Sequence, residues 1–342
     1  SGANNTGIGY NALVVNTTGT GGVAVGYRAL DSNTTGNYNV AIGQDALTAN
    51  STGTQNMAIG VNAGMTITTG NYNTAIGPNS LRGTEVTGSH NVALGLQALN
   101  VITTGSENVS IGNYSSHKAT TATNNVAVGY AALNDTTTGA NNVAIGRDAL
   151  LENTTASNNT AVGKSALGVN TTGHSNIAVG HNALDANTTG QYNTASGQNA
   201  LTANTTGNNN TANGHNALGA NTSGIGNVAV GMYSLDANTT ANYNTAIGYE
   251  SLSANTTGVG HAVVGAFALK LNTTANNNTA IGYECLDANT TGADNTAVGR
   301  SSLGANSTGT RNTAVGAIAL DANTTANDNT AIGHAALGNN TT

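Results

Sequence analysis

"NTAIGYECLDANTTGAD", residues 278–294, runs without a spacer into "NTAVGRSSLGANSTGTR" (295–311) and then "NTAVGAIALDANTTAND" (312–328). Each phrase has Asn first, Gly fifth, Leu ninth and Asn twelfth. Working outward, the Gly that closes the A-I/V-G phrase recurs from Gly9, Gly26 and Gly43 through to Gly333, twenty times in all. The step is 17 residues everywhere except the 18-residue coil at 78–95, between Gly77 and Gly95, which holds the only proline, Pro78. The consensus N-T/V-A-I/V-G-x-x-A-L-x-x-N-T-T-G-x-x defines positions 1 to 17.

The period selects the fold class. Paired-helix repeats need about 33 residues or more, and a helix of this sequence would carry Gly and β-branched residues in every turn. Leucine-rich repeats are longer and space their leucines differently. The spacing therefore predicts an all-β, parallel β-solenoid of about twenty 17-residue coils, with equivalent residues stacked in columns about 4.8 Å apart. It forms one continuous array over residues 1–342, most divergent at about 60–125, with no caps at either end. Ser1 and Thr342 both fall at position 14. Because an open coil exposes unpaired strand edges, the expectation is the interior of a longer fibre or a subunit that continues end to end.

Side-chain pattern assigns the columns. Position 9 is Leu in eighteen repeats, position 4 is aliphatic in eighteen and position 3 is Ala in seventeen. Alternation places positions 3 and 4 on opposite faces. The expectation is Leu and Ile/Val inside, with Ala and Gly forming a smooth stripe against another chain. On this reading Ser196 and Asn213 are a polar pair inside the column. Asn at positions 1 and 12 predicts amide ladders along the stack. The position-12 Asn residues also satisfy N-x-S/T, which makes Asn187, Asn204, Asn238, Asn255 and Asn289 candidate glycosylation sites; a ladder followed by Thr produces the same string without sugar.

Composition narrows the function classes. The chain has 46 Gly, 7% charged residues and a formal net charge of -7. It is rich in Thr, Val and Ile, unlike a disordered segment, and lacks the basic footprint of a nucleic-acid binder. No apolar run approaches 18 residues, so no membrane insertion is expected. Cys285 stands where other repeats carry Ala or Ser and reads as a small buried side chain. His181, His215 and His334 share a repeat position but lie coils apart, too far for shared metal ligation. Asp31, Asp185, Asp236, Asp287 and Asp321 share another, without the calcium-binding nonapeptide pattern. No nucleophile or phosphate-loop motif is present, so the sequence predicts no enzyme, catalytic residue, cofactor or metal.

The phrases "NVAIG" (39–43), "NTAIG" (244–248) and "NTAVG" (295–299) resemble the YadA-like head repeat of trimeric autotransporter adhesins. They are also similar to the NTAIG/NTTG runs of phage tail-fibre and bacterial surface proteins. The resemblance covers essentially the whole chain. It implies a left-handed β-roll, a homotrimer of chains side by side, and an extracellular role in attachment at a cell or virion surface. Here each coil is about three residues longer than the adhesin repeat, and the family's stalk, barrel and chaperone domains are missing from these residues.

Three non-enzymatic readings follow. The first is an extracellular structural fibre or filament shaft that self-associates as a homotrimer, an end-to-end polymer or both. The second is an adhesin for a cell-surface receptor or glycan. Its candidate ligand-binding surface is Arg82, Glu85, His90, Glu107, His117 and Lys118 in the divergent zone, and Tyr10, Tyr27, Tyr130, Tyr249 and Tyr283 are able to stack on sugars. The third is ice binding. That calls for two outward Thr with one residue between them, whereas the adjacent Thr at positions 13 and 14 face opposite ways.

Overall fold

The computed structural model describes residues 2–341, which divide into two units, one up to residue 174 and one from residue 175. The first holds ten three-residue strands, β1 (Thr6–Ile8) to β10 (Thr160–Val162). The second holds ten more, β11 (Ile177–Val179) to β20 (Thr330–Ile332). Within each unit successive strands pair in parallel and in register at the repeat spacing, for example Ala280 with Ala297 and Ile281 with Val298. There is no helix among the described residues. The chain is a parallel β-solenoid repeat protein of about twenty coils.

Short strands follow from the fifth residue. Gly282 has φ +143, and a Cβ there would fall on the carbonyl of Gly299 one coil on. Only Gly lets the backbone turn at that point while coils approach this closely. Turning continues at position 9, where Leu30 and Leu286 hold φ 51 and 56, a region disfavoured for a bulky residue by about 1–3 kcal/mol. Two features offset this. Leu286 is fully buried, and its N–H donates to the Ser302 carbonyl at 3.0 Å.

The interior has an apolar end and a polar end. Ala at positions 3 and 8 and Leu at position 9 fill the first. The second is built on the carbonyl of position 15, which points inward and needs donors. In the coil 278–294, Asn278 Nδ2 and Asn289 Nδ2 both donate to the Gly292 carbonyl, at 2.9 and 3.0 Å. Each Asn also bonds along the stack: Asn289 Nδ2 to Asn272 Oδ1 at 3.1 Å, and Asn278 Oδ1 accepting the Asn295 N–H at 2.9 Å. Both Asn ladders read from the sequence are therefore inside the coil. Position 13 adds a third column, with Thr290 Oγ1 donating to the Ser307 carbonyl at 3.1 Å.

The structure corrects the assignment of the strand faces. Ala280 is fully buried while Ile281 is 42% exposed, and Ile42, Ile145, Val179, Ile247 and Val264 are exposed in the same way. Ala points in and Ile/Val points out because Ala, Leu and the Asn amides already fill most of the narrow lumen; Val263 is the exception, a branched side chain buried at the inward position. Ser196 and Asn213 are neighbours as predicted. They stand on the outward face, Asn213 exposed, and not in the core.

Irregularities in the ladders are local. Position 12 switches from Asn50 to Ile67, Val86, Ile102 and Ala119, all buried, before Thr136 and Asn153 resume polarity. The extra residue of the 18-residue coil lies before Val86, which bridges Ile67. Asn50 Oδ1 has no partner, since Ile67 offers no donor. At position 1 the exceptions are Gly22 and His261.

Candidate interaction face

A period-2 strand with Ala inward turns its first and third residues outward. None of these residues on the twenty strands is charged. In the first unit most pairs are aliphatic on both sides, as in Val40 with Ile42 and Val143 with Ile145. In the second, Thr usually stands first and Ile or Val third, as in Thr245 with Ile247 and Thr279 with Ile281. Within each unit the face is an uncharged ribbon whose aliphatic side chains stand outside the core of their own coil. Removing the exposed part of one such Ile from water is worth on the order of 1 kcal/mol, repeated at each coil that carries one. Sequence reasoning found the two alternating sets and gave the outward role to the wrong one; the signal that β-branched residues dominate the larger set was available.

The sequon asparagines are buried. Asn187, Asn204, Asn238, Asn255 and Asn289 are each 0% exposed. Their amide nitrogens are engaged: Asn204 Nδ2 bonds Asn187 Oδ1 at 2.9 Å and the Gly207 carbonyl at 3.1 Å. Asn255 Nδ2 bonds the Gly258 carbonyl at 2.9 Å. A sugar on Nδ2 would replace a ladder donor and needs space the lumen lacks, so the N-x-T string records the ladder.

The candidate ligand-binding residues fall in separate columns. Arg82 and His117 occupy position 10 two coils apart, with Lys118 beside His117. Lys118 Nζ pairs with Asp135 at 2.8 Å, Arg82 bonds Asn79 Oδ1 at 3.1 Å, and His117 Nδ1 lies 3.3 Å from the Gln97 carbonyl. His90 and Glu107 are neighbours in the position-17 column, where His90 stacks on Tyr72 at 4.9 Å. Glu85 is in the turn that carries the inserted residue. No contact joins the two groups.

Titratable groups elsewhere are few and mostly exposed. Among the described residues no three His, Cys, Asp or Glu stand together as a metal site. Cys285 is buried, donates to the Ala297 carbonyl at 3.1 Å, and burial pushes its thiol up to about 12. On the edge of the second unit, the Glu250 and Glu284 carboxylates face the Tyr249 and Tyr283 hydroxyls and hold both phenols above the usual range. Burial is the larger cause of the upward shifts of Asp236 and Asp287.

Fold and face together define a β-solenoid repeat protein with an uncharged outward strand ribbon. No protein-family model and no curated protein matches the chain.

Proposed function

We propose that the chain is a structural segment of an extracellular fibre, a left-handed β-roll whose outward strand ribbon packs against further copies in a homotrimer. The single observation that carries this reading is the ribbon. Branched aliphatic side chains stand outward on consecutive coils whose own interiors are complete without them, and no charge interrupts the face. A strip of outward aliphatic side chains, broken only by uncharged residues such as Ser196 and Asn213, marks an association surface. Repetition supplies length, and the resemblance of the NTAIG phrases to adhesin and tail-fibre repeats points the same way. The role requires no catalysis.

The test is association state. Light scattering of the purified chain is expected to give three copies per particle. Replacing Ile42, Ile145, Ile247 and Ile281 together by Lys is expected to give monomers with an unchanged far-ultraviolet circular dichroism spectrum, because these side chains lie outside the core. A chain that stays monomeric at high concentration, with its ribbon intact, overturns the reading.

A further inference from the structure

In the second unit, positions 6 and 7 of five successive coils carry a band of rings. His215 meets Tyr233 edge to face with centroids 5.4 Å apart. Phe267 meets Tyr249 at 5.2 Å and Tyr283 at 6.0 Å in the same manner. The rings thus form two clusters, His215 with Tyr233 and Phe267 with Tyr249 and Tyr283. Tyr249 and Tyr283 are 39% and 48% exposed. Tyr233 and Phe267 hold φ 58 and 59 at position 7, a conformation that Asn, at Asn182 and Asn199 in other coils, adopts far more readily than a bulky ring.

The polar groups beside the rings are nearly all acceptors. Glu250 adjoins Tyr249, Glu284 adjoins Tyr283, and Asp236 and Asp287 stand in the neighbouring column. One cation is drawn to the band: Lys270 Nζ sits 5.0 Å from the Phe267 ring centroid and 2.7 Å from Glu250. Its charge is thereby matched within the protein.

We propose that this band is a binding platform for an extended saccharide chain without acidic groups. The chain lies along the stack, resting pyranose C–H faces on Tyr249 and Tyr283 while its hydroxyls donate to Glu250 and Glu284. Three arguments carry the assignment. Tyr249 and Tyr283 are two coils apart, about 9.6 Å, a distance that two consecutive sugar rings of an extended chain span. Ionised carboxylates accept hydrogen bonds and donate none, which suits a ligand rich in O–H donors and not a peptide, whose carbonyls need donors. Finally, the four carboxylates Glu250, Glu284, Asp236 and Asp287 outnumber the cations Lys270 and Arg300, which disfavours uronic or sialic acid polymers and nucleic acids. The platform at positions 6, 7 and 10 is distinct from the ribbon at positions 2 and 4, so it holds whether or not the chain self-associates there.

Titration calorimetry and affinity electrophoresis with chitohexaose and cellohexaose test it. At least one hexaose is expected to bind below millimolar concentration. Tyr249→Ala with Tyr283→Ala is expected to weaken binding by at least about tenfold, with the circular dichroism spectrum unchanged. Glu250→Gln with Glu284→Gln, which leaves the rings in place, is expected to weaken it severalfold. As a control, Tyr10→Ala with Tyr27→Ala, whose rings stack at 5.6 Å in the first unit, is expected to change nothing. The proposal is overturned by absence of binding of both hexaoses, by equal binding of polygalacturonate or a proline-rich peptide, or by an equal loss in the control variant.

Discussion

Acidification should open the second unit at one place, His261. The residue occupies a position that is Asn in eighteen of twenty coils and is 2% exposed. Nδ1 accepts the Asn278 N–H at 3.1 Å, so the proton of the neutral ring is on Nε2, which donates to the Ala275 carbonyl at 2.7 Å. The His261 N–H continues the ladder to Asn244 Oδ1 at 3.0 Å. Asn272 Nδ2 lies 3.3 Å from Nε2. Every side chain facing the imidazole is uncharged, so nothing compensates an imidazolium, and a second ring proton would point at the Asn278 donor.

Burial accordingly lowers the pKa of His261 from 6.5 to about 4. With the folded value below the unfolded one, the unfolded chain binds the extra proton between these limits. The stabilisation is complete above about pH 6.5 and is lost as pH falls towards 4. A shift of about 2.5 units corresponds to about 3 kcal/mol, or roughly 300-fold in the local opening equilibrium. Coils unfold locally in repeat proteins, so hydrogen exchange of peptides covering 244–278 is the appropriate measurement. Corrected for intrinsic rates, exchange there should accelerate by about two orders of magnitude between pH 7 and pH 4. His261→Asn should restore a uniform ladder and remove most of that acceleration; the raised pKa values of Asp236 and Asp287 act in the opposite sense, since a carboxyl that protonates more readily in the fold gains stability as pH falls. Equal acid sensitivity in the wild type and the variant would refute the reasoning.

Ala280→Ile should destabilise the chain by about 1–3 kcal/mol through overpacking, whereas Ile281→Ala in a monomeric background should change stability by less than about 1 kcal/mol; thermal unfolding that ranks them the other way would return the aliphatic column to the interior. Asn289→Ala should weaken the stack by about 1–3 kcal/mol, since the Gly292 carbonyl and Asn272 Oδ1 lose a buried donor, and intact mass spectrometry of protein from a glycosylating host should show the bare polypeptide at Asn289. Cys285 should react with a thiol reagent at neutral pH only after denaturant opens the second unit, because its thiol is buried and its pKa is raised to about 12; reaction at the rate of an exposed cysteine would contradict its place in the position-8 column.

Much of the architecture was legible because columns reinforce one another. Leu at position 9 could be assigned inside from recurrence alone, and Leu286 is where that reasoning places it; recurrence also predicted the Asn ladders of positions 1 and 12, whose place inside the coil the structure supplies. Other features were hidden for identifiable reasons. N-x-T reads identically whether Asn is buried or glycosylated, and only burial of Asn289 separates the two. The replacement of Asn by Ile67, Val86 and Ile102 in one column is visible as sequence divergence, yet its continuity depends on where the inserted residue of the 18-residue coil loops out. The ring band escaped because Tyr249, Phe267 and Tyr283 are spaced 18 and 16 residues apart, off the period, and converge only when positions 6 and 7 of neighbouring coils meet.

The sequence by itself determined the repeating unit, its parallel stacking and the chemistry of each column. A 17-residue recurrence with Gly at the turn and stackable Asn and Thr leaves little else for the backbone to do. Only the tertiary structure decided which strand face is inside. Alternation sorts Ala280 from Ile281 but is symmetric between the two faces. The symmetry is broken when the chain closes at Gly282 and Leu286 around a lumen that Ala, Leu and two amides already fill in most coils.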